Sequence, residues 1–196
     1  MSRCVKWLFL CMLKISDLLY NKLQIKYNKV IIGRNLTIMG KCVFSTEKKE
    51  SISIGNNCKI ISSIFYNKIG GDLRCVIRTI QQGEIMIGNN VQMSNCTIIS
   101  RKKVIIEDNA MIGGGVKLYD NDFHSTNSQE RIHGDLNIKS KMIIIKKNSF
   151  IGAHSILLKG AIVGENSVLG AGSVLAAEIP PNEIWAGNPA RFIRKV

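Results

Sequence analysis

The residues best placed to do chemistry form one short polar run, Tyr119-Asp120-Asn121-Asp122-Phe123-His124-Ser125. Asp122 stands two residues before His124. A carboxylate beside an imidazole can orient the ring and stabilise its protonated form, as a general base requires. By itself an Asp-x-His step is a weak signal and is more often a solvated loop. His133 lies further along the same run and competes for the role. His124 ranks above it because carboxylates adjoin it. Asp122 is the candidate for orienting the ring, with Asp120 next. The third histidine, His154, follows Ile151-Gly152-Ala153 and reads as structural or groove-lining. There is no CxxC step and no Cys/His cluster with zinc-ligand spacing, so no metal site is expected.

A scaffold must position this run, and the chain advertises one. Ile145, Ile151, Leu157, Val163, Leu169 and Leu175 recur every six residues. Helices want apolar residues at three- and four-residue steps, and half-buried strands want alternation. A period of six, with Gly directly after the aliphatic residue in Ile151-Gly152, Val163-Gly164 and Leu169-Gly170, reads as short strand, turn, short strand. Such self-similarity is the mark of a solenoid. Related units begin at Ile32, Ile54, Ile87 and Ile106, and their Gly-Asn-Asn and Glu-Asp-Asn pieces tolerate the left-handed angles of tight turns. The period is expected to break once, between Leu118 and Ile145, and loops on rigid scaffolds are where function concentrates. All three prolines (Pro180, Pro181, Pro189) follow the last repeat, so the stacked body is uninterrupted.

The predicted architecture is therefore an all-β solenoid of parallel strands. An N-terminal helical segment is expected at 1–29, the solenoid at 30–179 with an excursion at 119–144, and a C-terminal tail at 180–196. A chain of 196 residues suffices for one domain with a sizeable core. The six cysteines lack paired spacing and read as reduced thiols of a cytosolic protein. A net charge of +13 implies an anionic partner: a phosphorylated cofactor, a membrane surface or nucleic acid. Nucleic acid is set aside for want of a recognisable motif or interleaved aromatics.

Residues 1–30 carry six basic residues against the single Asp17. Trp7, Leu8, Leu10, Cys11, Ile15, Leu18, Leu19 and Leu23 fall on one helical stripe. The expected role of the segment is a cap packed over the open end of the solenoid. An interfacial helix on an anionic membrane is the second expectation, compatible with the first. Neither a membrane-spanning run nor a signal peptide is expected.

The hexapeptide runs, the Asp-Phe-His loop, Gly170-Ala171-Gly172-Ser173-Val174, Ile179-Pro180-Pro181 and Gly187-Asn188-Pro189-Ala190-Arg191 resemble the left-handed parallel β-helix acyltransferases. Within that family the resemblance is nearest to the galactoside, maltose and capsule or O-antigen O-acetyltransferases, and it covers about residue 30 to the end. It implies transfer of an acetyl group from acetyl-CoA directly to a sugar hydroxyl, with no covalent enzyme intermediate and no metal. His124 holds the place of the general base, and Asn95 that of an asparagine contacting the acceptor. Backbone amides near Gly152 and Ala153 are the implied oxyanion donors. Ala153, Ala171 and Ala176 match positions lining the pantetheine groove, and Arg191 and Arg194 match residues meeting the adenosine phosphates. The family also implies a homotrimer with active sites between subunits, and a cytoplasmic enzyme of bacterial surface polysaccharide synthesis.

Three departures bear on the acceptor. Ser100 stands where several family members have Asp, Ala153 where some have Ser, and Phe150 where a Trp is common. Other small acceptors, including a sugar amine, are compatible with the same chemistry. A metal-dependent hydratase of this fold would need three clustered histidines, and a non-catalytic solenoid would not need the His124 loop.

Overall fold

The computed structural model describes residues 3–196 apart from 68, 70–72 and 136, with side chains from residue 11 onward. Its body is a three-sided parallel β-helix. One face has seven strands from Ile31–Ile32 to Glu178–Ile179, and the second has eight from Thr37–Gly40 to Ala190–Lys195. The third has six, from Val43–Thr46 to Val174–Leu175. The chain visits the faces in turn, so sequence neighbours lie on different faces and spatial neighbours are one coil apart. Leu169 pairs with Ile151, and Leu175 with Leu157, one coil of three six-residue steps.

The six-residue period works because of what it turns inward. On the first face Ile54, Ile87, Ile106, Ile145, Val163 and Ile179 stack in register and are buried. Ile60, Met93, Ile112, Ile151 and Leu169 do so on the second, and Ile77, Ile98, Leu118, Leu157 and Leu175 on the third. Each buried aliphatic side chain contributes about 1.5–3 kcal/mol by leaving water. Cys42, Cys58, Cys75 and Cys96 are reduced and buried among them.

The corner asparagines do more than tolerate a turn. Asn35, Asn57, Asn90, Asn109, Asn148, Asn166 and Asn182 all hold φ between 57° and 61°. Their side-chain amides donate Nδ2 to Oδ1 down the stack at 3.0–3.2 Å, an unbroken ladder along one edge. Short polar side chains are the non-glycine residues that accept this backbone region, and here they also join coil to coil.

Three expectations need correction. The coil is interrupted twice, not once: besides the excursion between Lys117–Tyr119 and Ile143–Ile145, a loop separates Lys59–Ser62 from Val76–Thr79. The C-terminal tail is not appended to the solenoid but built into it. Glu183–Gly187 extends the second face in parallel, and Ala190–Lys195 turns back antiparallel as its last strand. Finally, the N-terminal helix α1 (Arg3–Asn28) packs on the first coil as a cap should, but not through its apolar stripe. Asn21 bonds Gly40 O and Cys42 N at 2.8 and 2.9 Å, and Asn28 bonds Phe44 O and Thr46 N at 2.9 and 3.1 Å. These side chains satisfy edge backbone groups that would otherwise face water or another strand. Ile15, Leu18, Leu19 and Leu23 are exposed instead, and the side chains of Trp7, Leu8 and Leu10 lie outside the described residues.

Candidate active site

The excursion that carries His124 is a braced structure. Its neck is antiparallel: Asn121 bridges Ser140, Lys141 N donates to Asp120 O at 2.8 Å, and Asp122 N to Lys139 O at 3.1 Å. Beyond the neck a short helix α2 (Ser128–Ile132) is capped by Asn127, whose side chain accepts from Gln129 N at 2.9 Å. Asp120 anchors the base. It is fully buried and accepts from Ser100 Oγ and from the amides of Arg101, Lys102 and Lys103, all within 2.8 Å. Asp120 is thus a structural staple, and Ser100 is its partner rather than a reader of substrate.

At the tip, Asp135 rather than Asp122 meets the imidazole. His124 Nδ1 lies 2.5 Å from Asp135 Oδ2. The other oxygen of Asp135 accepts from Ser125 N at 2.8 Å. An ionised carboxylate only accepts, so Nδ1 is the nitrogen that donates to Asp135, and in the neutral imidazole the lone pair then lies on Nε2. The hydrogen bond from His124, then the Ser125 amide, hold the Asp135 carboxyl below the usual carboxylate range. Asp122 is turned away onto Lys159 Nζ at 2.5 Å. The expectation for Asp122 failed because sequence adjacency does not set side-chain direction: Phe123 has φ 60°, and His124 N closes onto Asp122 O at 2.6 Å. That tight turn throws the two side chains apart. A bulky residue at positive φ is strained, and such strain gathers at working sites.

His133 ends α2 with Nδ1 2.7 Å from Gln129 O, so a main-chain carbonyl and not a carboxylate faces it. His154 is exposed at a corner with φ 61°, its amide bonded to Gly114 O at 2.8 Å. Among the described residues no three His, Cys, Asp or Glu side chains group as metal ligands.

A groove of 340 Å³ runs down the second face, lined among others by Gln92, Met111, Gly113, Phe150, Ala153 and Ala171. It stays open because its floor is small. A Cβ at Gly113 would come within 2.7 Å of Ala153 N, so glycine alone fits there. Ala153 and Ala171 share this groove, while Ala176, following Val174–Leu175, stands at the other edge of the third face. The amide of Gly152 donates to Leu169 O at 2.7 Å and is not free to hold an oxyanion; Ala153 keeps that candidacy. Arg191 and Arg194 are exposed on the last strand, beyond Val168–Leu169 and Glu183–Gly187.

Asn95 is 2% exposed, with φ 44°. Its Nδ2 donates to Leu73 O on the unforeseen loop, and its Oδ1 has no partner among the described residues. Asn67, on the same loop, likewise has a buried Nδ2 with no partner among the described residues. Buried polar atoms without partners are uncommon and point to a ligand or water. Asn95 precedes Thr97–Ser100 and His124 follows the paired strand Lys117–Tyr119, so the two residues flank the third face from opposite edges. Within one chain the structure does not bring them together. Asp135 was missed because it lies eleven positions beyond His124, brought back by the fold of the excursion. The loop between Ile60 and Val76 did leave a signal, the long gap without repeats.

Residues 142–177 match the family model described as Bacterial transferase hexapeptide (six repeats). The chain is 38% identical over 113 residues to galactoside O-acetyltransferase of Escherichia coli (strain K12), covering 57% of this chain and 54% of that protein. It thus spans about half the length of the curated relatives it matches. Among solved structures it resembles a variant of AntD, an N-acyltransferase from Bacillus cereus in complex with dTDP-4-amino-4,6-dideoxyglucose and coenzyme A. That likeness has TM-score 0.67 and 25% identity, covering 90% of this chain and 89% of that one. A galactoside acetyltransferase in complex with coenzyme A superposes with TM-score 0.59 and 24% identity, over 93% and 82% of the two chains. The chain carries hexapeptide repeats and has the left-handed parallel β-helix fold of the acyltransferases it resembles.

Proposed function

We propose that this protein is an acetyl-CoA-dependent O-acetyltransferase that acetylates a sugar hydroxyl in bacterial surface polysaccharide synthesis. The observation that carries the proposal is the His124–Asp135 pair, which turns Nδ1 to a carboxylate and leaves Nε2 as the nitrogen open to an acceptor at the tip of a braced loop. Nε2 takes the proton of the acceptor hydroxyl as its oxygen attacks the thioester carbonyl of acetyl-CoA. Asp135 steadies the imidazolium that forms. The Ala153 amide is the candidate donor to the tetrahedral oxyanion. Collapse expels the CoA thiolate, the imidazolium returns the proton to sulfur, and the acetyl ester is left on the sugar.

The donor is a substrate, and the groove suits its narrow pantetheine arm, since Gly113, Ala153 and Ala171 keep the floor small between the apolar side chains of Met111 and Phe150. Arg191 and Arg194 are proposed to meet its phosphates. The proposed working unit is a homotrimer. Its support is the separation of Asn95 and His124 on one chain, so that the Asn95 edge of one protomer faces the His124 loop of the next. In the same way Ala153 and Ala171 of one protomer and Ala176 of its neighbour wall one groove. We place the enzyme in the cytoplasm, with residues 1–29 touching the membrane where a lipid-linked acceptor would be presented.

A sugar amine is the second reading of the acceptor, favoured by the likeness to an N-acyltransferase bound to an amino sugar nucleotide. Thiol release from acetyl-CoA against matched hydroxyl and amine acceptors decides between them. Release with a hydroxyl acceptor that drops about a hundredfold or more in His124→Ala supports the proposal. Release with amine acceptors alone establishes the second reading, and release unchanged by His124→Ala contradicts the assigned base.

A further inference from the structure

Helix α1 is docked the wrong way round for an ordinary surface helix. Its polar side chains Asn21 and Asn28 are buried against the first coil, where Gln24 also accepts from Phe44 N at 3.2 Å. On the outward side Met12, Ile15, Leu19 and Leu23 recur at three- and four-residue steps and are 57–68% exposed. An ordinary amphipathic helix buries such a stripe. Lys22 and Lys26 stand in the same stripe, both exposed, with Lys14 and Lys29 exposed nearby. The single acid of the helix, Asp17, faces a groove shared with Lys41 and Arg74 and adds no negative charge to the outer stripe. Across that groove the loop after Lys59–Ser62 exposes Ile64 and Phe65, at 54% and 71%. An exposed apolar stripe such as that of α1 marks a site of contact.

The charge decides between occupants. A second copy of the stripe would set lysine against lysine. An anionic bilayer accepts both components at once, apolar side chains among the acyl chains and lysines at the phosphates. Helix α1 is not long and apolar enough to cross a membrane, so it would lie flat.

We infer that the outward face of α1 is a seat on an anionic lipid surface, entered by Ile15, Leu19 and Leu23 and held by Lys22 and Lys26. The inference deepens the membrane contact proposed above and is independent of the acetyl-transfer chemistry. Inward asparagines fix the helix to the solenoid, so the seat also fixes which end of the β-helix meets the bilayer. The lysine stems reach from within an apolar stripe to the headgroup level.

Co-sedimentation of the full chain with vesicles tests it, comparing phosphatidylglycerol–phosphatidylcholine mixtures with phosphatidylcholine alone. The chain should bind the anionic vesicles and release at high salt. Lys22→Gln/Lys26→Gln should weaken partitioning by about thirtyfold, from about a fivefold loss per lysine at a membrane surface. Leu19→Glu/Leu23→Glu should abolish binding while thermal unfolding and thiol release with a soluble acceptor stay unchanged, since the docking asparagines are untouched. Absence of binding, or binding indifferent to both pairs, would overturn the seat. So would dispersal of the oligomer by Leu19→Glu/Leu23→Glu, which would assign the face to another copy. Loss of vesicle binding with acetyl transfer retained leaves the enzyme proposal standing; vesicle binding without transfer does the reverse.

Discussion

At the scale of the residue, the account turns on which carboxylate serves His124. Asp135 touches Nδ1; Asp122 contributes its carbonyl to the turn and its side chain to Lys159. Asp135→Asn should keep the loop's shape but remove the charge that selects the tautomer, lowering kcat about a hundredfold with little change in KM. Asp122→Asn should cost less than about tenfold, because it acts only through the loop. Steady-state kinetics of the two variants check this, and equal losses would contradict the assignment. The pH dependence has a definite sign. Asp135 is held below its ordinary range, so its contribution to the fold of the excursion is complete above the unfolded carboxylate range and is lost as pH falls through its lowered value. Acid should therefore loosen the excursion only below the ordinary Asp range, and Asp135→Asn should remove that transition, as followed by amide exchange at Ser125. Sequence alone could place His124 on the excursion as a candidate, because the break in the period is local. It could not place Asp135, whose contact depends on how a capped helical turn and a tight turn at Phe123 fold the excursion back.

At the scale of the element, legibility followed the geometry of each segment. The coils from Ile151 to Leu175 have two-residue strands and equal corners, so their period shows directly in the sequence. The earlier coils have strands of up to four residues and a loop between Ser62 and Val76, which blur the period without changing the core. Helix α1 was visible as a helix, but its orientation was not. Apolar spacing says which face is oily; it does not reveal that strand-edge amides and carbonyls at the top of the coil would be better served by Asn21 and Asn28. The asparagine ladder was legible as turns, not as a chain of bonds. Asn109 separates the two roles. Asn109→Gly keeps the backbone angle and breaks two amide links, so it should cost about 1 kcal/mol or less. Asn109→Ala adds the strain of φ 60° and should cost about 1–2 kcal/mol more. Denaturant midpoints compare them, and equal stabilities would refute the backbone contribution. In the core, Leu169→Ala should cost about 2–5 kcal/mol, as the stacked column closes poorly over a lost side chain.

At the scale of the whole molecule, the solenoid separates the candidate site residues along its edges. One edge of the third face carries Asn95, whose Oδ1 has no partner among the described residues, above the small-residue groove; the other carries the His124 loop and Ala176. A parallel β-helix is stiff, so these edges cannot fold onto one another, and the proposed site would need a second copy placed by rotational symmetry. Subunit complementation tests this directly. Asn95→Ala and His124→Ala proteins are each expected to be nearly inactive in thiol release. Unfolded together and reassembled at equal amounts, they should recover about a quarter of wild-type activity, since random assembly gives that share of sites both native residues from different protomers. Activity no greater than the sum of the two separate proteins would contradict a shared site and return His124 and Asn95 to a single chain.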